Sequence, residues 1–508
     1  MTQPKFKTYS RQQLQLIPQS WDEKIPQGHP VRIVDSVIDK LDLSKLYSSY
    51  KGGGTTSHNP KMLLKAIIYS YINNIYSSRK IEDAIKSNIY LVWLCGNCEP
   101  DHNTINRFRS QKVAPVLKDI FKQIVLLLAQ EGLVSLKEIY VDGTKIEANA
   151  NRYTFVWGNA IKTNKEKMVK QLDELWQYAQ TVAKEELKDT APLDFKTIDA
   201  QKVTETVKNI EEAIRDKEVP KKVKQKLQYA KKNFANKLDE YKVKEAILDG
   251  RNSCSKTDND ATFMRMKEDH MENGQLKPGY NIQISTNNQI ITNYDTFPNP
   301  TDTLTLPAHI DSFKELYNET PQTVTTDAGY GSEENYEYLE ANNCTAYVKY
   351  NYFHQEQKGT RLKKYPFAGE HLYYNAEKDF YVCPMGQHME NFASYIKKND
   401  NGFEQTISRY QARNCNGCPL RGSCHKSNEN RIIEINHNLN RHKQKARELL
   451  TSEDGIKHRK QRAKDVEPVF GNIKQNKGFR RFMLRGKHKV TVEFGFIAIA
   501  HNLMKKAA

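Results

Sequence analysis

The chain has 508 residues, room for two to four domains that each bury a core. With 38% apolar and 27% charged residues it excludes a membrane-embedded protein: its longest apolar runs, Ile124–Ala129 and Phe494–Ala500, are far too short to span a bilayer. The net charge of +17 is concentrated, with 19 Lys and Arg against 7 Asp and Glu from Arg431 to Ala508, and such a block beside carboxylates favours a polyanion, nucleic acid above all, over a merely solvated face.

The N-terminal residues, Met1-Thr2-Gln3-Pro4-Lys5-Phe6-Lys7, carry no hydrophobic segment, so a cytoplasmic chain is expected. There, eight cysteines suit metal ligands or core positions better than disulfides. Residues 1–13 are polar and read as loosely held. Val34, Val37, Ile38 and Leu41 have helical spacing, and a flexible break follows at Gly52-Gly53-Gly54-Thr55-Thr56-Ser57. From Pro60 to about Gly132 the pattern is helical: Leu63, Ala66, Ile67, Tyr71 and Ile75, then Ile81, Ala84 and Ile85, then Ile105 and Phe108, then Val113 to Leu128. Ser77-Ser78 and Pro100-Asp101 stand at helix starts. Arg107 and Arg109 suit phosphate contacts or packing equally well. Cys95 and Cys98 form a lone CxxC pair, a weak metal signal without a second pair nearby.

Leu136 to Val141 reads as a buried strand that delivers Asp142 at its end, just before Gly143. Residues 160–250 carry dense, balanced Lys/Glu patterning with apolar stripes at Leu172, Leu175, Trp176 and Ala179 and at Val223, Leu227 and Ala230. Two or three long helices folded back on themselves fit, a spacer being favoured over a grip on DNA or a second subunit. Asp258 and Asp260 suit a turn more than a metal site. A hairpin follows, Tyr280–Ser285 and Gln289–Tyr294 joined by Thr286-Asn287-Asn288, then a helix Thr303 to Leu316 and a strand Thr323 to Thr326 that delivers Asp327. A helix Ser332 to Asn342 and a strand Thr345–Lys349 complete the run. Two aspartates at the ends of neighbouring strands repel unless a cation lies between them, and oxygen ligands suit Mg²⁺ or Mn²⁺.

Between about 350 and 430, Cys383, Cys415, Cys418 and Cys424 are spaced C-x31-C-x2-C-x5-C. This fits a tetrahedral structural zinc better than unrelated buried thiols, with His425 or His388 able to replace one ligand. A third acid to complete a metal site could be Glu448, Glu467 or Glu493. Glu467 is preferred because Pro468 suits the first turn of a helix, so Glu467 would stand at a helix start or kink, fixed in direction; Lys474, seven residues on, falls on the same face.

Six stretches carry a family resemblance. Tyr140-Val141-Asp142-Gly143-Thr144-Lys145-Ile146-Glu147-Ala148-Asn149-Ala150-Asn151, Thr326-Asp327-Ala328-Gly329-Tyr330-Gly331, and Val466-Glu467-Pro468-Val469-Phe470-Gly471-Asn472-Ile473-Lys474 resemble the three acid motifs of bacterial insertion-sequence DDE transposases, in order. Gly478-Phe479-Arg480-Arg481-Phe482 with Arg485-Gly486 follows as in that family, and Ser78-Arg79-Lys80-Ile81-Glu82 and Asp101-His102-Asn103-Thr104-Ile105-Asn106-Arg107-Phe108-Arg109 resemble its N-terminal domain. The resemblance covers roughly residues 15 to 505. It implies an α/β fold: a ribonuclease H-like mixed-sheet core (135–158, 251–350 and 431–508), an all-helical N-terminal domain (1–134), a helical insertion (159–250) and a small cysteine-rich insertion (351–430). In such a core the first and fourth strands are neighbours.

The implied activity is cleavage and strand transfer at the ends of a DNA element, with Asp142, Asp327 and Glu467 holding two divalent ions about 3.5–4 Å apart. Lys474, Arg480, Arg481 and Arg485 are the implied DNA contacts, double-stranded element ends and target the partners, and a homodimer on DNA the working form. A nuclease without strand transfer, or an inactive transposase-derived DNA-binding protein, are the alternatives. Some related families carry Tyr seven and Arg four residues before the Glu; here those positions are Lys460 and Ala463, with Arg462 one residue off.

Overall fold

The computed structural model describes residues 20–50, 56–183, 198–266, 274–399 and 401–507. The polar residues 1–13 and the Gly52–Thr55 part of the expected break lie outside these.

The centre is a mixed sheet. Its middle strand, Glu138–Glu147, pairs antiparallel with Leu276–Asn287 from Tyr140↔Thr286 to Glu147↔Gly279. On the other side it runs parallel to Thr323–Thr326, but only as far as Tyr140↔Thr325, and that strand in turn runs parallel to Thr345–Val348. Ile290–Phe297 and Thr262–Arg265 pair with Leu276–Asn287. The strand delivering the first aspartate is longer than its sequence suggests. It does not end at Asp142, because Thr144 and Ile146 are buried and keep the antiparallel ladder going to Glu147. Asp142 therefore stands mid-strand, just past the point where the parallel neighbour stops. The hairpin loop is also later and one residue shorter than the Thr286–Asn288 of the sequence reading: Asn288 and Gln289 are its two loop residues, both with positive φ (53° and 61°), as a primed two-residue turn requires.

The C-terminal helix, Lys487–Ala507, is buried from Val492 to Leu503 and packs on Ile290–Phe297 and on two N-terminal helices, Pro60–Ile72 and Leu117–Gln130. One continuous hydrophobic cluster thus runs from Ile25 through the sheet to Leu503. Fully burying each such aliphatic or aromatic side chain is worth about 1.5–3 kcal/mol. Arg109 belongs to this packing: 2% exposed, it donates to the Tyr71 hydroxyl and to the Tyr76 carbonyl, both at 2.9 Å. Asp101 accepts from the Thr104 N–H at 2.8 Å and so caps its helix as the sequence indicates.

After Glu147 the chain leaves through a short strand, Phe155–Trp157, and returns through its partner, Ser253–Ser255. Between them lie the helices Gly158–Val182, Ala200–Ala213 and Lys221–Leu248, with a separate core that includes the predicted Leu172, Leu175, Trp176, Ala179, Leu227 and Ala230. The cysteine-bearing stretch is less loop-rich than its sequence implies. Tyr374–Asn375, Phe380–Val382, His388–Lys398, Glu404–Ala412 and Ile432–Ile435 form an antiparallel meander in sequential order, around Tyr381, Met389 and Tyr410. Asp258 and Asp260 are not placed as metal ligands; they accept from the Gly486 and Lys487 N–H groups (3.2 and 2.8 Å) at the start of the C-terminal helix. Among the described residues no helix is long and apolar enough to cross a membrane.

Candidate active site

Three segments distant in sequence meet where the parallel pairing ends. Asp142, 6% exposed, points from the middle strand toward the helix Glu453–Gly471, which lies across the sheet. Asp327 follows the last residue of its strand and accepts from the Gly329 N–H at 2.9 Å, which fixes its carboxylate on a one-turn 3₁₀ helix. Glu467 comes from the Glu453–Gly471 helix itself. It is not at a helix start: Pro468 lies inside the helix, near its end. A proline there deprives the Lys464 carbonyl of its usual donor. The Gln289 side chain supplies one at 3.0 Å, and the Gln289 N–H donates to Asp465 at 3.0 Å, so the hairpin turn holds the helix where the proline weakens it.

Arg462 stands among the three acids. Its Nη2 is 2.8 Å from Asp142 Oδ2 and 3.6 Å from Asp327 Oδ2, and its Nη1 is 3.9 Å from Glu467 Oε1. The guanidinium is buried while Glu467, at the rim, is 63% exposed at the side chain. Asp142, Thr144, Glu467 and Lys474 line one cleft of about 210 Å³. Lys474 lies in a π-helical turn, Asn472–Asn476, and is 6% exposed. Lys349 lies beside the acids; burial lowers its ammonium pKa first, and Arg462 and Arg459 lower it further.

A second layer supports the aspartates. Asp302 accepts from Asn281 and Gln283, each at 2.7 Å, and Gln283 accepts from the buried Tyr330 hydroxyl. Burial, then the charges of Asp302, Asp142 and Asp327, push the Tyr330 hydroxyl well above its usual range. A Cβ at Gly143 would lie 2.3 Å from Asp302 Oδ1 and 2.2 Å from Gln283 Nε2, so any side chain there would displace the ends of those two residues.

The other acids considered lie elsewhere. Glu448 is exposed on the helix His437–Thr451. Glu493 is fully buried and accepts from the Met483 and Leu484 N–H groups at 3.1 and 2.9 Å. Arg480, Arg481 and Arg485 are exposed but brace backbone: they donate to the carbonyls of Lys474 (3.2 Å), Ala148 (3.3 Å) and Asn149 (2.7 Å).

Cys383, Cys415, Cys418 and Cys424 line one small cavity of about 20 Å³ together with His425 and Arg431. Arg431 Nη1 donates to Cys424 Sγ at 2.8 Å, and backbone N–H groups of Arg431 and Gln387 point at Cys415 and Cys383 Sγ (3.4 and 3.3 Å). His388 stacks on Phe380. Cys95 is buried and Cys98 exposed. Among the described residues no three His, Cys, Asp or Glu stand close enough to form a ready metal-binding group. The acids of the cleft converge on a guanidinium instead, so this donor set fits a cation.

Sequence comparison adds two matches. Residues 382–507 match the transposase DDE domain, and residues 19–111 match a transposase domain (DUF772). The first stretch contains Glu467, Lys474 and the four cysteines; Asp142 and Asp327 lie outside both. No curated protein and no solved structure matches the chain.

Proposed function

We propose that this chain, an insertion-sequence DDE transposase by its two transposase-domain matches, cuts DNA at the ends of such an element and joins those ends to a target, using Asp142, Asp327 and Glu467. The observation that carries this reading is the meeting of three carboxylates from separate segments on one cationic group, Arg462, in a cleft that also holds Lys474. The sheet order, Ile290–Phe297, Leu276–Asn287, Glu138–Glu147, Thr323–Thr326, Thr345–Val348, with the last two parallel to the centre, supports a ribonuclease H-like core.

Asp142, Asp327 and Glu467 are the residues that would hold Mg²⁺ or Mn²⁺. When bound, such ions lower the pKa of an attacking water or 3′-hydroxyl and stabilise the leaving oxygen. The protein's own part is positioning. The strand and the 3₁₀ turn fix the two aspartates, the long helix aims the glutamate, and Lys474 lies where a scissile phosphate would enter. Arg480, Arg481 and Arg485 extend the basic surface along the same C-terminal segment toward the DNA backbone. Two element ends processed together call for a homodimer on DNA. We also propose a structural zinc among Cys383, Cys415, Cys418 and Cys424, whose spacing suits four thiolate ligands and whose side chains line one small cavity; the thiols would draw together around the ion.

The test is Asp142→Asn, Asp327→Asn and Glu467→Gln, assayed for cleavage and for strand transfer on a DNA carrying the element ends. Each should lose several kcal/mol of stabilisation of the transition state, about a thousandfold in rate, while binding of the ends survives. Full activity of Glu467→Gln would remove it from the triad; cleavage without joining by the wild type would make the protein a nuclease.

A further inference from the structure

We infer that Arg462 is the resident cation of the metal-free site: it holds Asp142, Asp327 and Glu467 facing one another, and it gives up its place when divalent ions bind. The inference rests on the reading of those three acids as metal ligands.

Carboxylates brought together repel unless a cation sits between them, most of all where one is buried, as Asp142 is at 8% side-chain exposure against 38% for Asp327 and 63% for Glu467. Arg462 meets that need from inside the protein. It is 7% exposed, and its stem is held on the sheet-facing side of its helix, in one stripe with Val466, Val469 and Ile473, all fully buried. Its two terminal nitrogens face all three acids, at 2.8, 3.6 and 3.9 Å. Its Nε is buried with no hydrogen-bond partner. The loose 3.6 and 3.9 Å approaches and the unmet Nε describe a group held by charge more than by a closed hydrogen-bond set. Such a group is one that a divalent ion, with twice the charge and direct oxygen coordination, can displace. Arg462 is thus a positioning residue. It keeps the site assembled before metal arrives, and it sets the metal affinity by competing for the same oxygens.

Metal-free protein titrated with Mn²⁺, followed by the electron paramagnetic resonance of free Mn²⁺, tests this. Arg462→Gln should bind Mn²⁺ tighter than wild type, on the order of tenfold, while its metal-free form melts a few degrees lower. Arg462→Lys should fall between them. In the wild type, Mn²⁺ should raise the labelling of Arg462 by phenylglyoxal, read by mass spectrometry, because the displaced guanidinium becomes accessible. Unchanged or weaker Mn²⁺ binding by Arg462→Gln, or labelling of Arg462 that Mn²⁺ leaves unchanged, overturns the inference alone, provided Asp142→Asn weakens Mn²⁺ binding. No Mn²⁺ binding by the wild type, or binding indifferent to Asp142→Asn, overturns the metal reading of the acids and the inference with it.

Discussion

At the residue scale, neighbouring acids in this chain have opposite roles, and burial with its partners separates them. Glu493 is fully buried, and burial raises its carboxyl pKa, partly offset by the Leu484 N–H, Arg109 and the Met483 N–H. Glu493→Ala strands those donors and should lower stability by about 2–4 kcal/mol in a denaturant titration, whereas Glu448→Ala, on an exposed surface, should change it by less than about 0.5 kcal/mol. A dead Glu493→Ala protein with a wild-type denaturation curve would mean that Glu493 acts in the chemistry. The exposed arginines need a similar separation, because each both braces backbone and faces solvent. Replacing Arg480, Arg481 and Arg485 by Gln should flatten the log–log salt dependence of duplex binding by about 0.9 for every phosphate left without its arginine, and Lys at the same positions should largely restore it. An unchanged slope in the Gln variant would move the DNA to another surface. Asp142 and Asp327 are legible from a strand signal that leads into Asp and then glycine, although at Asp142 the strand continues where a turn is expected, and the structure brings both to one guanidinium. Arg462 is not legible in that way. It stands one residue away from the arginine position of some related families, yet its spacing to Val466, Val469 and Ile473 already marks the buried helix face. Asp302 escapes the sequence because it lies in a loop with no pattern of its own; its hydrogen bonds from Asn281 and Gln283 and the close packing at Gly143 reveal it.

At the element scale, the Glu467 helix is held less by its own sequence than by what grips its end. Gln289 binds it at Lys464 and Asp465, and His501 of the C-terminal helix ties both together: Nε2 lies 2.8 Å from the Gln289 carbonyl and Nδ1 3.1 Å from Asn472 Nδ2. Those partners suit a neutral ring with the proton on Nε2. Burial lowers the His501 pKa from 6.5 to about 4. The unfolded chain therefore binds the proton more tightly than the folded one. The stability tied to this ring is fully present above pH 6.5 and is lost as pH falls toward about 4, on the order of 3 kcal/mol in all. Urea denaturation between pH 7 and pH 4 should show this fall, and His501→Gln should remove roughly one proton from its slope; an unchanged slope would place the acid sensitivity elsewhere. Sequence could not supply this latch, because it joins a turn, a proline-weakened helix and a distant helix by side chains with no shared motif. The cysteine meander is half legible. The spacing of its thiols announces one cluster, but the five short strands are hidden among exposed polar residues: His388–Lys398 is buried at Met389 alone. If zinc holds that cluster, purified protein should carry about one zinc per chain, and Cys418→Ser should lose it and open residues 380–425 to proteolysis while the central sheet stays folded. Metal-free wild-type protein that resists proteolysis there would exclude the zinc.

At the scale of the whole molecule, hydrophobic continuity decides which parts can be removed. The N-terminal helices share one core with the sheet and the C-terminal helix, so those helices and the central sheet stand or fall together, a fact that sequence patterning, which reads each helix separately, could not reveal. The helical insertion is different. Its stripes are legible because an exposed helix needs one apolar face. The core they build, from Met168 to Leu238, is separate from the main one. Its entry and exit are also adjacent: Val156 pairs with Cys254, and the Gly158 N–H donates to the Asn252 carbonyl at 2.9 Å. A short Gly/Ser linker can therefore replace residues 159–251 with little strain, since closing a loop of a few residues between paired strand ends costs little. The shortened protein should keep a cooperative melt and the Mn²⁺ binding of the acid cleft. If the insertion is only a spacer, cleavage and strand transfer should persist within about tenfold, measured by the same assays. If it grips DNA or a second subunit, the shortened protein should still bind Mn²⁺ but fail to assemble two element ends, seen as loss of the paired complex on a native gel. A shortened chain that no longer folds would contradict the separation of the two cores.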